Sequence, residues 1–147
     1  GRLESLAMKG DNGQVIRFLL DGAHNIAGIE ALIDTLKAQS NNNKLILVWA
    51  YMKDKDYGQC LNLMAPFADS IIFTMPDKNR SATVQQLKDC LAVAHSHTIE
   101  VLAHEKVNDA VACAISQASP ADLICIAGSL YLVGYARLYL CGEVVDG

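Results

Sequence analysis

Apolar runs of strand length take turns along the chain with segments whose apolar residues recur every three or four positions. Leu3 to Met8 and Val15 to Leu20 read as strands, separated by the turn-prone Lys9-Gly10-Asp11-Asn12-Gly13. Ile29, Leu32, Ile33 and Leu36 then fall on one helical face. Leu45 to Ala50 predicts a strand, and Tyr57 to about Met64 a helix. Ser70 to Thr74 predicts the next strand. After the Met75-to-Ser81 loop, Val84, Leu87, Leu91 and Ala94 mark a single helical face. Thr98 to Leu102 precedes a stripe of Val107, Ala110, Val111, Ala114, Ile115 and Ala118, which Pro120 stops. Leu123 to Ala127 reads as a buried strand, and Ser129 to about Leu140 as a closing helix.

Repeated strand-helix alternation implies crossover connections, which are right-handed and put helices on both faces of a mostly parallel sheet. The opening differs, because two strands joined by a Gly- and Asn-rich turn pair as an antiparallel hairpin. The expected fold is α/β: a Rossmann-like three-layer sandwich whose six-stranded, mostly parallel sheet carries an antiparallel N-terminal edge hairpin. No repeat, low-complexity tract or linker interrupts the 147 residues, so residues 1–147 read as one domain.

Composition narrows the function. With 52% hydrophobic and 19% charged residues the chain can bury a core of its own. No apolar run reaches the roughly 18 residues of a membrane helix, so no membrane partner is expected. A net charge of −4 disfavours a nucleic-acid surface, which needs clustered Lys and Arg, but leaves room for a single nucleotide. The cysteines are odd in number and show no C-x-x-C spacing, and Cys113 and Cys125 sit among apolar residues. Free thiols in a reducing cytoplasm are the expectation. The first residue is not methionine, which suggests a chain excised from something longer.

Candidate chemistry concentrates where strands end. Asp21-Gly22-Ala23-His24-Asn25 places an acid, an imidazole and an amide between a strand and a helix. Asp54-Lys55-Asp56, Arg80 and Ser129 also follow predicted strands, and in a parallel sheet those ends share one edge, where ligands bind. Each also has a local reading: Asn25, Asp56 and Ser129 as helix caps, Gly22 as a turn, Asp21 as an acceptor for backbone donors. A ligand-binding Asp21 is expected to be exposed on that edge, with its carboxylate facing a cleft.

Gly1-Arg2-Leu3-Glu4, Leu20-Asp21-Gly22-Ala23-His24-Asn25 with Gly28, Met52-Lys53-Asp54-Lys55-Asp56 and Gly128-Ser129-Leu130-Tyr131-Leu132-Val133-Gly134 occur in that order. Together they resemble the C-terminal domain of folylpolyglutamate synthase/dihydrofolate synthase, a branch of the Mur ligase family. The resemblance runs to about Arg137 and departs at Ile26-Ala27 and Tyr135-Ala136.

It implies a cytoplasmic, ATP- and Mg2+-dependent ligase of folate metabolism. Such an enzyme phosphorylates a substrate carboxylate and joins the acyl phosphate to the amine of glutamate, on a folate or pterin substrate. It also implies that the phosphate-binding loop and the magnesium ligands belong to the enzyme's own central ATPase domain. The present sequence is consistent with this, since it contains no G-x-x-x-x-G-K-[ST]. By resemblance, Arg2 meets the ATP phosphates and Asp21 the ribose. His24, Asp54, Asp56 and Ser129 lie on the amino-acid and acyl-phosphate side, with His24 a candidate catalytic residue, and Arg80 is a further substrate-side candidate. No metal ligand is assigned within the chain. The alternatives are another Mur-type ligase, acting on peptidoglycan precursors or cyanophycin-like polymers, and a non-catalytic Rossmann-like binding module.

Overall fold

A computed structural model describes residues 3–10, 12–39, 43–96 and 98–142. Six strands alternate with helices: β1 (Leu3–Lys9), β2 (Val15–Asp21), α1 (Ile26–Ala38), β3 (Leu45–Trp49), α2 (Tyr57–Met64), β4 (Ser70–Phe73), α3 (Val84–Cys90), α4 (Val93–Ser96), β5 (Glu100–Ala103), α5 (Val107–Gln117), β6 (Leu123–Ala127) and α6 (Leu130–Cys141). They form one sheet in the order β1-β2-β6-β3-β4-β5. β1 is antiparallel to β2, and every other pairing is parallel. The expected sandwich and its hairpin edge are both present.

Side chains alternate across a strand, so the central strands supply two cores at once. Leu19, Leu47, Trp49, Ile71, Phe73 and Cys125 face α1, α2 and α3. Phe18, Leu20, Ile46, Val48, Ile72 and Ile126 face α5 and α6. The split follows from the handedness of crossovers. From β3 to β5 the chain steps outward and leaves α2 and α3 on one face. From β5 it returns past β4 and β3 to reach β6, which puts α5 on the other. β6 therefore lies between β2 and β3, and the connections after those neighbours leave toward the face opposite α6. That is the topological switch point at which α/β sheets bind ligands.

One expected element is divided. The face Val84, Leu87, Leu91, Ala94 does not form one helix, because Leu91 adopts an extended conformation after Cys90. Asn62 of α2 explains the break. Its Nδ2 donates to the carbonyls of Gly58 (2.8 Å) and Cys90 (2.9 Å), and its Oδ1 accepts from the amide of Ala92 (2.8 Å). One amide side chain thus satisfies backbone groups that a continuous helix would have used internally.

All five cysteines are free. Burial pushes the thiols of Cys60, Cys90, Cys113 and Cys125 up, and Cys60 and Cys125 are enclosed. Since the thiolate is the nucleophile, iodoacetamide near neutral pH should label exposed Cys141 first and Cys125 only on unfolding. Peptide mass spectrometry checks this; early labelling of Cys125 would contradict its place in the sheet.

Among the described residues no helix is long and apolar enough to cross a membrane.

Candidate functional site at the carboxyl edge of the sheet

The turns after β2, β3, β4 and β6 all emerge on one edge, because those strands run parallel. The register is tight: Ala127 pairs with both Asp21 and Trp49, so the residues after it sit between the other two turns. Gly128 makes this approach possible. Its φ of +102° lies in the region that favours glycine, and a Cβ there would overlap the Ala50 carbonyl oxygen.

Each turn has local chemistry of its own. Asp21 Oδ1 accepts from the Ala23 amide (2.9 Å) and so closes the first turn. Asn25 caps α1 by accepting from Gly28 (2.8 Å), Asp56 caps α2 by accepting from Gln59 (3.1 Å), and Ser129 caps α6 by accepting from Leu132 (3.3 Å). The local reading of these residues therefore holds for all of them, alongside any contact with a ligand.

Cross-links then join the turns into a continuous rim. The Tyr51 hydroxyl donates to the His24 carbonyl, tying the β3 turn to the β2 turn. Lys53 donates its amide to the Arg80 carbonyl (2.8 Å), Ala82 to the Tyr51 carbonyl (2.8 Å), and Met52 bridges Ser81, tying β3 to the β4 loop. Arg80 reaches α6, where its guanidinium donates to the Tyr131 hydroxyl and lies 5.8 Å from that ring's centroid.

Besides a depression of about 430 Å³ between the β4 and β5 turns, bordered by Met75, Lys78, Glu105 and Tyr135, two depressions on this edge touch the predicted site residues. One, of about 240 Å³, is bordered by His24, Asn25, Lys55 and Asp56. The other, of about 290 Å³, is bordered by Lys53, Asp54, Asn79 and Arg80. Segment 53–56 contributes to both, so His24, Asp54, Asp56 and Arg80 are brought to one edge as the sequence predicts. The second depression mixes cations with a carboxylate, whereas the open wall of the first is mostly apolar, with Lys55 and Asp56 at its border.

His24 Nδ1 lies 2.9 Å from the Gly22 carbonyl, which can only accept, so the contact places a proton on Nδ1 and leaves Nε2 as the nitrogen that carries the lone pair whenever the ring is neutral. Among the described residues no group of three His, Cys, Asp or Glu could hold a metal ion. A further cavity of about 360 Å³, beside Arg17, Lys37 and Lys44, lies at the opposite edge of the sheet and is lined by none of the candidate site residues.

One expectation, an exposed Asp21, is corrected. Asp21 is on the predicted edge, but it is only 7% exposed, not open. The turn it closes folds over it, because its carboxylate is engaged by the chain two residues on. Ser129 is likewise 1% exposed, its oxygen turned into α6. Arg2 lies outside the described residues. Tyr51 and the pairing of Arg80 with Tyr131 were not foreseen. Tyr51 reads as a core aromatic after a strand, and the partners Arg80 and Tyr131 stand 51 positions apart.

Known proteins match this chain in sequence and in fold. The family described as "Mur ligase, glutamate ligase domain" matches residues 1–130. Dihydrofolate synthase/folylpolyglutamate synthase of Bacillus subtilis is 28% identical over 118 residues, covering 80% of this chain and 26% of the relative. A probable bifunctional folylpolyglutamate synthase/dihydropteroate synthase of Halobacterium salinarum is 34% identical over 119 residues, covering 81% of this chain and 14% of the relative. The structure of Mycobacterium tuberculosis folylpolyglutamate synthase complexed with ADP and AMPPCP superposes with a TM-score of 0.73 at 26% identity, over 88% of this chain and 30% of that one. The chain thus spans 26% of the length of the first of these sequence relatives and 14% of the second. With the family matched from the first residue through the last of the four turns, this chain belongs to the Mur ligase family and carries its glutamate ligase domain.

Proposed function

We propose that the chain is the C-terminal domain of a larger, cytoplasmic ATP-dependent ligase that adds glutamate to a folate or dihydropteroate acceptor. The observation that carries this reading is the single rim on which His24, Asp54, Asp56 and Arg80 meet, in a domain matched to glutamate ligases whose named relatives act in folate metabolism.

Amide formation requires the glutamate amine to attack an activated carboxyl carbon, while phosphate leaves with the C–O bonding electrons and the amine loses a proton. Lys53 and Arg80 supply positive charge for the carboxylates of glutamate, and Arg80 adds a planar fork already oriented by Tyr131. Asp54 and Asp56 supply negative charge for its ammonium group. His24, with its lone pair on Nε2, can accept the proton that the amine gives up. Holding both reactants on one rigid edge reduces the entropic cost of their encounter.

ATP supplies the phosphoryl group that activates the carboxylate. By the family resemblance, the metal and the triphosphate are assigned to the enzyme's own central domain; the described residues of this chain offer no cluster of three ligating side chains. Arg2 on the phosphates and Asp21 at the ribose complete the nucleotide side of the proposal. For Asp21 this means a contact made through the carboxylate oxygen that Ala23 does not engage.

The test uses the complete protein that contains this chain. ADP release should require glutamate together with a folate or dihydropteroate acceptor, and the 147-residue chain alone should release none. Arg80→Ala should raise the KM for glutamate about 10- to 100-fold, the worth of one charge-assisted hydrogen bond, while leaving the melting temperature nearly unchanged because Arg80 is exposed. Glutamate-independent turnover, or full ligation by the chain alone, would overturn the proposal.

A further inference from the structure

Tyr51 is 2% exposed, and its ring stacks on Trp49 with centroids 5.7 Å apart and planes 11° from parallel. Its hydroxyl has one proton to give and two neighbours, the His24 carbonyl oxygen and Cys60 Sγ at 3.2 Å. The carbonyl can only accept, so the tyrosine proton goes there. With that proton committed to the carbonyl, the contact with Cys60 Sγ leaves the thiol as the group free to donate to the tyrosine oxygen.

The bond that matters for the turn is therefore Tyr51 O–H to His24 C=O, with Cys60 as the second neighbour of the same hydroxyl. Burial raises both the phenol and the thiol above their ordinary ranges, so neither proton leaves at neutral pH. At the other end of the turn, His24 Nδ1–H is held by Gly22. Both carbonyls that set the course of the Gly22–His24 turn thus have fixed donors. Tyr51 also accepts from Ala82 through its own backbone, which registers the Arg80 loop on the same residue.

We propose that Tyr51 is a positioning residue that holds the Gly22–His24 turn so that His24 keeps its proton on Nδ1 and presents the Nε2 lone pair to the rim. The use of that lone pair in ligation rests on the function proposed above; the positioning itself does not. Without the tyrosine proton the His24 carbonyl must find another donor, the turn loosens, and the imidazole relaxes toward the Nε2–H tautomer that free histidine prefers.

The first measurement needs no variant. Long-range 1H–15N imidazole spectra of the 147-residue chain, taken where histidine is neutral, should show His24 in the Nδ1–H form, and an Nε2–H pattern would overturn the proposal. Tyr51→Phe retains the ring, its stacking and the backbone bond to Ala82, and deletes only the hydroxyl. It should melt close to wild type yet move the His24 signals toward the Nε2–H form. Cys60→Ser, which keeps a donor for the tyrosine oxygen, should preserve the wild-type pattern. A wild-type tautomer in folded Tyr51→Phe would overturn the positioning role.

In the complete protein, Tyr51→Phe should lower kcat/KM for glutamate about tenfold, equivalent to roughly 1.4 kcal/mol, with the KM for ATP unchanged. A tautomer shift in the spectra with unaltered glutamate kinetics would support Tyr51 as the positioning residue and overturn the proton-accepting role given to His24.

Discussion

Gly128→Ala is expected to destabilise the chain by about 3 kcal/mol or more, a large fraction of the roughly 5–15 kcal/mol that keeps an ordinary domain folded. Two costs act at once. A side chain at φ +102° is strained, by about 1–2 kcal/mol on the general scale for left-handed backbone. The new methyl group would also overlap the Ala50 carbonyl oxygen and crowd the Trp49 ring at 3.1 Å. Neither neighbour can yield cheaply. Ala50 follows a fully buried strand paired on both sides, and Trp49 is fully buried and stacked on Tyr51.

Gly134→Ala is the matching control. It lies within α6 with nothing within 4 Å of the added Cβ, and should gain roughly 0.5–1 kcal/mol from helix propensity. Urea unfolding followed by circular dichroism reads both. Equal midpoints for Gly128→Ala and wild type would mean that the β6 and β3 turns do not meet as described.

Asp21 separates a structural role from a ligand-binding one by the choice of replacement. Asp21→Ala strips the acceptor from the buried Ala23 amide and should cost about 1–3 kcal/mol. Asp21→Asn can keep a carbonyl oxygen in the same place and should retain most of the stability. If the proposed ribose contact holds, both variants of the complete protein should bind nucleotide several-fold more weakly, because the amide is a poorer acceptor for ribose hydroxyls. Denaturant midpoints with nucleotide titrations on the same variants give the answer. A stable Asp21→Asn with wild-type nucleotide affinity would confine Asp21 to closing the turn, whereas Asp21→Asn as unstable as Asp21→Ala would show that the charge itself holds the turn.

What the sequence by itself determined is what local spacing can carry. Alternation and helical periodicity are properties of neighbouring residues, so the six strands and most helices were legible from them. The capping roles of Asn25, Asp56 and Ser129 were too, since a cap and its amide lie three residues apart. Parallel strands also share a carboxyl edge whatever their order, which is why the rim could be foreseen while its cross-links could not.

The tertiary structure decided everything that depends on residues far apart in the chain. It inserted β6 between β2 and β3, a placement that periodicity does not encode. It split one apolar helical face at Leu91, because Asn62 from another helix offered its backbone better partners. It enclosed Asp21, which the pattern alone left open. It also joined Tyr51 to His24 and Arg80 to Tyr131, pairs 27 and 51 residues apart. A hydrogen bond between such distant groups depends on where packing brings their backbones, and only the folded sheet brings these within reach.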